Sequence, residues 1–289
     1  MGAFSILNNI SGLNSQNQLT LNSVNLSRTL LRLSSGRRIN SGADDAAGLQ
    51  IADSLRSNVM ALNQAVRNAN DGISVAQIAD GALNEIGNLL NRAITLSEEA
   101  ATATVDSTGR VSLNNEFSQI EAEISRIATQ TNFNGTLIFS TSATATIFGS
   151  SYNVFVGDTS GASSIVVTIG QISVNSSEVT GLGGQNLMAV DLTTAAKAAT
   201  SLTTIKSAID QVASARAGLG SGVNRLQSAV AVLQSQSQNT TAAESTIRDA
   251  NIAEEVANLT KFQILAQSGI ASLAQANSSS QQVLGLLKM

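Results

Sequence analysis

The 289-residue sequence contains no proline, cysteine, histidine or tryptophan, and aromatic residues make up only 3% of it. Without histidine or cysteine the chain has no Ser-His or Cys-His nucleophile pair, no imidazole metal ligand and no disulfide, zinc or iron–sulfur site. A carboxylate-only or a lysine-based enzyme remains formally possible, and a carboxylate-dependent one would need acids that converge in a cleft. The acids are instead spread along predicted helices, so we expect no enzyme, no cofactor and no metal site.

Charge and long apolar runs are also scarce. The formal net charge is −4, which argues against nucleic acid as a partner, because phosphate binding needs a basic surface. No apolar run approaches the roughly 18–20 residues of a membrane span, so no membrane insertion is expected. The first charged residue is Arg28, so the N-terminus lacks the basic region of a secretory signal. This pattern predicts a cytosolic chain or one exported without a Sec signal.

Helical periodicity dominates both halves of the sequence, and no proline interrupts it. Apolar residues at steps of three and four predict helices over residues 1–33, 44–100, 112–130, 191–235 and from about 241 to 287. Ser41 to Asp44 is similar to a capping box that opens the second helix, and Thr241 to Glu244 is one that opens the last. Asp44 and Asp45 are predicted to cap a helix start.

The middle of the sequence differs in kind. From about residue 136 to 190 it is rich in Thr, Ser, Gly, Val and Ile. Short β-like runs at 137–139, 152–156 and 164–169 are separated by glycines, which is typical of a small sheet or hairpin. The Ser/Thr-rich stretch 140–180 fits O-glycosylation or a plain polar surface loop equally well.

Both ends of the chain lack charge. Residues 1–27 and 262–287 contain no charged side chain. Solvated helices usually carry Lys and Glu on their outer faces, so we expect the two terminal helices to pair and their outer faces to be buried against neighbours. The alternative is two flexible, low-charge tails. The predicted polymerisation seam comprises Leu13, Val24, Leu31, Val256, Leu259, Ile270, Leu273, Leu284 and Leu287.

These patterns predict a mainly α protein: a long antiparallel helical coiled-coil bundle with paired N- and C-terminal helices and a small β-rich hairpin insert. Several motifs then resemble bacterial flagellins. They are Leu33 to Leu49, Asn68 to Ser74, Thr131 to Gly135, Ser214 to Gly220, Ala243 to Ala250 and Gln281 to Leu284. Any one of them is weak, but their ordered set covers about residues 1–140 and 190–289 and is highly specific.

The resemblance implies a structural subunit of the flagellar filament that serves cell motility. It implies an inner-tube domain from residues 1–46 with 249–289, and an outer-tube domain from 47–248 whose segment 136–190 faces the surface. It further implies export by the flagellar type III apparatus to an extracellular filament. The implied partners are copies of the chain itself, an export chaperone, and cap and hook-associated proteins. A hook–filament junction protein or a generic helical scaffold are the alternatives.

Two groups of residues receive more specific expectations. The resemblance places a Toll-like receptor contact at Arg92, Leu96 and Glu123, although the neighbouring Ile94 and Thr95 depart from the family pattern. Equally, these three could be bundle-surface residues that contact the next subunit. Separately, the basic cluster Arg28, Arg32, Arg37 and Arg38 is predicted to pair with Asp249, Glu254 and Glu255, and the pairs Glu98-Glu99 and Glu254-Glu255 are expected to be solvated or inter-subunit charges.

Overall fold

The computed structural model describes residues 9–139, 151–157, 164–168 and 190–286. The helices are α1 (Ile10–Ser35), α2 (Ala46–Ala101), α3 (Ser107–Gln130), α4 (Ala195–Arg248) and α5 (Ile252–Leu286). The strands are β1 (Asn132–Phe133), β2 (Thr136–Leu137), β3 (Ser151–Phe155) and β4 (Ser164–Thr168). The predicted fold class is confirmed: a mainly α chain with paired terminal helices and small hairpins.

The chain divides into two compact units. Unit 1 comprises Met1–Ser57 and Asn239–Met289, and unit 2 comprises Asn58–Gln238. Helices α2 and α4 contribute residues to both. Within unit 1, the terminal helices α1 and α5 pack against each other.

Unit 2 has a core of small and aliphatic side chains from α2, α3, α4 and the hairpins. Alanines of α2, including Ala69, Ala76 and Ala79, are fully buried, which allows neighbouring helices to approach closely. Phe117, Ile120 and Ile124 of α3 face inward, as their spacing predicts. The segment after β2 adds two further core residues, Ile138 and Phe139.

Two antiparallel hairpins accompany the helices. Strands β1 and β2 are joined by Asn134 and Gly135, whose φ angles of 51° and 78° suit the two-residue turn that Asn-Gly favours. Strands β3 and β4 pair from Ser151 opposite Thr168 to Phe155 opposite Ser164. Within this hairpin, Tyr152, Val154 and Val167 are buried, whereas Asn153, Phe155 and Val166 are exposed.

The predicted boundary between the last two helices is wrong. Helix α4 does not end near residue 235 but continues to Arg248, and the Thr241–Glu244 segment lies inside it. No glycine or proline between 235 and 248 stops the helix, so a capping-box pattern alone could not do so. Helix α5 begins instead at Ile252, where the Asn251 side chain accepts hydrogen bonds from the amides of Ala253 (3.1 Å) and Glu254 (3.5 Å).

Candidate functional site

Helices α1 and α5 run antiparallel, in a register that three contacts define. Asn9 at the start of α1 donates through Nδ2 to the Ala276 carbonyl at 3.2 Å. In the middle, a Cβ on Gly269 would lie 3.4 Å from Leu19 Cδ1. At the far end, Arg32 Nη1 lies 3.5 Å from Glu255 Oε1. The side chains buried or half-buried along this pairing are Leu19, Leu26, Thr29, Leu33, Leu259, Phe262, Ala266 and Leu273.

Other large apolar residues of the same helices face solvent in the single chain. On α1 they fall at helical spacing on the side opposite Leu19. On α5, Ile252, Val256 and Ile270 lie beside the face that meets α1, and Ile264 lies opposite it. We call them the outward stripes. They comprise Ile10, Leu13, Leu21, Val24 and Leu31 on α1, and Ile252, Val256, Ile264 and Ile270 on α5.

The predicted seam therefore divides into two groups. Leu13, Val24, Leu31, Val256 and Ile270 belong to the outward stripes, with exposed fractions of 45% to 60%, and do not hold α1 against α5. Leu259 and Leu273 are half-buried beside α1. Periodicity identified apolar positions but could not separate the face that meets α5 from the face that meets solvent. The side chain of Leu284, and Leu287, lie outside the described residues.

A short backbone pairing joins the two places where the chain changes helix. We call it the joint, formed by residues 36–38 and 247–250. The Arg38 amide donates to the Arg248 carbonyl at 2.7 Å, and the Ala250 amide donates to the Gly36 carbonyl at 2.9 Å. Arg37 and Asp249 form an antiparallel bridge. Gly36 ends α1 with φ of 68°, a left-handed conformation that favours glycine.

Ion pairs surround the joint. Arg32 lies 3.8 Å from Asp44 and 3.5 Å from Glu255, and Arg28 lies 3.9 Å from Asp44. Arg248 contacts Asp53 at 3.1 Å. Unit 1 therefore holds an alternating cluster of guanidinium and carboxylate groups beside the backbone pairing.

The carboxylates Asp44 and Asp45 have different roles. Asp45 caps α2, because its Oδ1 accepts from the Gly48 amide at 2.9 Å. Asp44 instead accepts from the amides of Asn40 (3.3 Å) and Ser41 (3.1 Å) in the preceding turn. Burial alone would raise the pKa of Asp44, but these hydrogen bonds and the Arg32 charge leave it below its usual value.

The basic cluster agrees in part with its prediction. Arg32 pairs with Glu255, as expected. The Arg38 guanidinium instead donates to the Ile247 carbonyl at 2.9 Å, and Arg37 meets Asp249 through the backbone. The expectation that Glu255 is a solvated or inter-subunit charge is wrong: it is 7% exposed and paired within unit 1, whereas Glu254 is exposed.

The three residues expected to contact a receptor do not form one continuous surface in the structure. Arg92 forms an ion pair with Glu116 at 2.7 Å, and Glu123 pairs with Arg126. Glu123 is half-buried and the other three are exposed. The hydrogen bond from Arg126 lowers the pKa of Glu123. Leu96, however, is 1% exposed in the core of unit 2. Leu96 is thus covered in the single chain, and the contact of these three residues with a receptor or with the next subunit stays a prediction.

In the described part of the chain, side-chain groups that could bind a metal or carry out a reaction are scarce. Among those residues, no group of three or more His, Cys, Asp and Glu side chains could hold a metal ion. A groove of about 410 Å³ in unit 2 is lined mainly by Leu62, Val156, Val232 and Leu233, with no ionisable side chain among the described residues that line it. Within the same residues, no helix has the length and apolar character needed to traverse a bilayer.

Comparison with known proteins gives this architecture its family. Residues 6–144 match the bacterial flagellin N-terminal helical region, and residues 202–287 match the bacterial flagellin C-terminal helical region. The chain is 35% identical over 287 residues to flagellin FlaB1 of Treponema pallidum (strain Nichols), covering 98% of this chain and 99% of that protein. The chain belongs to the bacterial flagellins. Its helical ends are the parts that the two family models describe.

Two further relatives also match almost the whole of this chain. The flagellar filament 31.3 kDa core protein of Treponema maltophilum is 34% identical over 288 residues, covering 98% of this chain and 99% of that protein. The flagellin of Bacillus subtilis (strain 168) is 37% identical over 306 aligned residues, with the same two coverages. This flagellin is therefore a structural subunit of the bacterial flagellar filament, and a hook–filament junction role is not favoured.

Sequence reasoning missed the two features that organise unit 1. The joint is a backbone pairing between residues about 210 positions apart, and no local pattern marks it. The cap of α5 did have a local signal, because Asn251 is followed three residues later by Glu254, the spacing of a capping box. That signal competed with the equally good match at Thr241.

Proposed function

We propose that this flagellin polymerises by burying the outward stripes of α1 and α5 against other copies of the chain. The observation that carries the proposal is that Leu13, Val24 and Ile270 are more than half exposed and lie in the stretches 10–27 of α1 and 262–286 of α5, which contain no charged residue. Exposed apolar surface of this extent is uncommon on a protein that stays monomeric. A homopolymer supplies the missing partner from the same sequence.

In this proposal the joint prepares the two stripes for assembly. The pairing of residues 36–38 with 247–250 fixes where α5 begins to run back along α1. Both stripes then belong to one helix pair rather than to two independent tails. Ordering them before assembly reduces the entropy lost on polymerisation.

The resemblance to flagellins supports a placement of each part of the chain in the filament. Residues 1–46 with 249–289 form the inner tube, where uncharged faces are excluded from water. Residues 47–248 form the outer tube, with the segment 136–190 toward the surface. The role is structural and involves no catalysis. We further propose export through the flagellar type III apparatus, with an export chaperone, cap and hook-associated proteins as transient partners.

Single substitutions in the outward stripes test this proposal. Val24→Asn and Ile270→Asn each place an amide where an apolar side chain is buried in the filament. The loss of about 1.5–3 kcal/mol of burial predicts a critical concentration for polymerisation at least about tenfold higher. Circular dichroism of the monomer should stay unchanged, because both side chains face solvent there. Critical concentration is measured by sedimentation, and filaments by electron microscopy.

Thr20→Asn is the matched control. Thr20 is an exposed polar residue of α1, and its described hydrogen bond is to the Gln16 carbonyl one turn earlier. This variant should polymerise as the unaltered chain does. If Val24→Asn and Ile270→Asn also polymerise at the unaltered critical concentration, the stripes are not assembly contacts.

A further inference from the structure

The inner face of the β3–β4 hairpin lies on two helix positions that have no side chain. A Cβ on Gly72 of α2 would come within 2.6 Å of Val154 Cγ2, and a Cβ on Gly222 of α4 within 2.9 Å of Val167 Cγ1. Both distances are shorter than real Cβ contacts allow. Glycine weakens a helix interior relative to alanine, so a packing role accounts for these two residues. We call the two positions the glycine notches.

The hairpin also makes a polar contact with the backbone of α2 at the first notch. Tyr152 is the only tyrosine in the chain and is 6% exposed. Its hydroxyl donates to the Gly72 carbonyl, and the phenol oxygen accepts from the Ala76 amide. The phenol thus lies across one i, i+4 step of the helical hydrogen-bond ladder.

The remaining contacts hold the hairpin to both helices at once. Asn68, one turn before Gly72, donates through Nδ2 to the Phe155 carbonyl at 3.2 Å. Leu226 of α4 approaches Gly72 as well, since its Cδ1 would lie 3.3 Å from a Cβ there. Strand β3 is therefore attached to α2, and strand β4 contacts α4 through Val167. The five cross-strand residue pairs then connect the two attachments.

We propose that the β3–β4 hairpin is a clasp that holds α2 against α4, and that Tyr152 is the positioning residue that locks it in the glycine notches. The clasp has a seated state, with Val154 and Val167 in the notches and the phenol on Gly72. It has a lifted state in which these contacts open while α2 and α4 remain helical. This device concerns unit 2 alone and is separate from the proposed assembly through α1 and α5.

Hydrogen–deuterium exchange of the full chain, read by mass spectrometry on peptides from β3 and from residues 68–76, tests the clasp. Tyr152→Phe keeps the ring and removes the hydroxyl. It should raise the exchange rate in both peptides about fivefold, the ratio that corresponds to one hydrogen bond of about 1 kcal/mol. Gly222→Ala fills the second notch and should raise the exchange rate in β3 more than Tyr152→Phe does.

Two other helical glycines supply matched controls. A Cβ on Gly220, two residues from the second notch, or on Gly81, nine residues after the first, would meet nothing within 4 Å. Gly220→Ala and Gly81→Ala should leave the exchange rate of β3 as it is in the unaltered chain. Because glycine to alanine favours the helix in both, any increase seen only with Gly222→Ala comes from the filled notch.

Unchanged exchange in Tyr152→Phe overturns the locking role, and equal exchange in Gly222→Ala and Gly220→Ala overturns the notch. If Gly222→Ala loses its helical circular dichroism, Tyr152→Phe alone decides. All of these variants retain the outward stripes and should form filaments. Failure of the clasp thus appears as unchanged exchange in chains that polymerise, and failure of the assembly proposal as unaltered polymerisation of Val24→Asn.

Discussion

Arg32 contacts two carboxylates that belong to different segments of unit 1. Asp44 lies in the connection between α1 and α2, and Glu255 lies in the first turn of α5. The Glu255 side chain is 9% exposed and that of Asp44 is 12% exposed, so neither carboxylate is fully hydrated. The guanidinium compensates both, and Glu255 also benefits from the positive end of the α5 dipole. At this scale, one side chain links the start of α2 to the start of α5.

Removing Arg32 should weaken assembly more than removing an exposed arginine. Arg32→Ala leaves the largely buried Glu255 without its guanidinium and Asp44 with Arg28 alone, at a cost of about 1–2 kcal/mol after allowing for the partial exposure of Arg32. We expect a critical concentration roughly tenfold higher, measured by sedimentation. Arg67→Ala is the control, since Arg67 is exposed on α2 and its described bonds are to Gln64. Equal effects of the two substitutions would contradict the account.

The single tyrosine gives a direct test of the hairpin packing. Burial raises the pKa of Tyr152 to about 12, above the ordinary value of 10.0. Because the unfolded chain loses this proton first, the free energy of unfolding should fall between about pH 10 and pH 12. Near-ultraviolet absorbance reports phenolate formation, and no tryptophan interferes. A phenol in the folded chain that titrates near pH 10 would show that Tyr152 is not buried.

The sequence predicted which kinds of role the charged residues have, but not which residue has which role. Adjacent Asp44 and Asp45 at a predicted helix start indicated a cap, and one of them is a cap. Which of the two caps the helix depends on the preceding turn, because the amides of Asn40 and Ser41 donate to Asp44 and leave Asp45 as the cap. The pairing of Arg32 with Glu255 was within the predicted set. The burial of Glu255 was not predictable, because it depends on a neighbouring helix about 220 residues away in sequence.

At the scale of elements, helices α1 and α5 each have two apolar faces with different partners. One face forms the antiparallel pair within the chain, through residues such as Leu19 and Leu273. The other, with Val24 and Ile270, has no counterpart among the described residues of the same chain. The lack of charge predicted that more than one face becomes buried. It could not say which apolar residue belongs to which face, because that depends on the register set by the joint.

The joint requires a left-handed residue at the end of α1. Gly36 has φ of 68°, and a Cβ there would meet nothing within 4 Å, so backbone conformation alone opposes a substitution. Gly36→Ala should therefore cost about 1 kcal/mol and raise the critical concentration about fivefold. Gly42→Ala, in the same connection but without a positive φ, is the control and should have little effect. A neutral Gly36→Ala would show that the joint does not limit assembly.

The end of α4 is where sequence patterns were least informative. Two capping-box matches, at Thr241 and at Asn251, lie ten residues apart in a stretch without glycine or proline. Local propensity accepts either, and the backbone pairing of residues 247–250 with the start of the α1–α2 connection selects the second. Long-range contacts thus decide the boundary. The β3 and β4 strands, in contrast, follow directly from their β-like composition and flanking glycines.

At the scale of the whole molecule, the two units differ in how their apolar surface is covered. Unit 2 has its own core of leucine, isoleucine, valine, alanine and phenylalanine. In unit 1, the pairing of α1 with α5 covers only one face of each helix and leaves the outward stripes exposed. A unit with a closed core is expected to melt cooperatively without a partner, whereas a single helix pair gains most of its stability from assembly.

Truncation of one end should therefore abolish polymerisation and spare unit 2. A chain that lacks residues 1–35 removes α1 and leaves α5 without its partner. We expect no filaments by electron microscopy, while the main thermal transition, followed by circular dichroism, keeps its midpoint within a few degrees of the unaltered chain. Filament formation by the truncated chain would contradict the assignment of assembly to the helical ends.

Thiol reactivity at one position of the outward stripe shows whether this face of α1 becomes buried in the filament. The chain has no cysteine, so Val24→Cys introduces a single thiol, and Asn153→Cys on the exposed hairpin face serves as the reference. In the monomer both thiols should react rapidly with a maleimide. In filaments the thiol at position 24 should react with the maleimide at least about a hundredfold more slowly than the reference thiol. Equal reactivity of the two thiols in filaments would show that the stripe stays open to solvent after assembly.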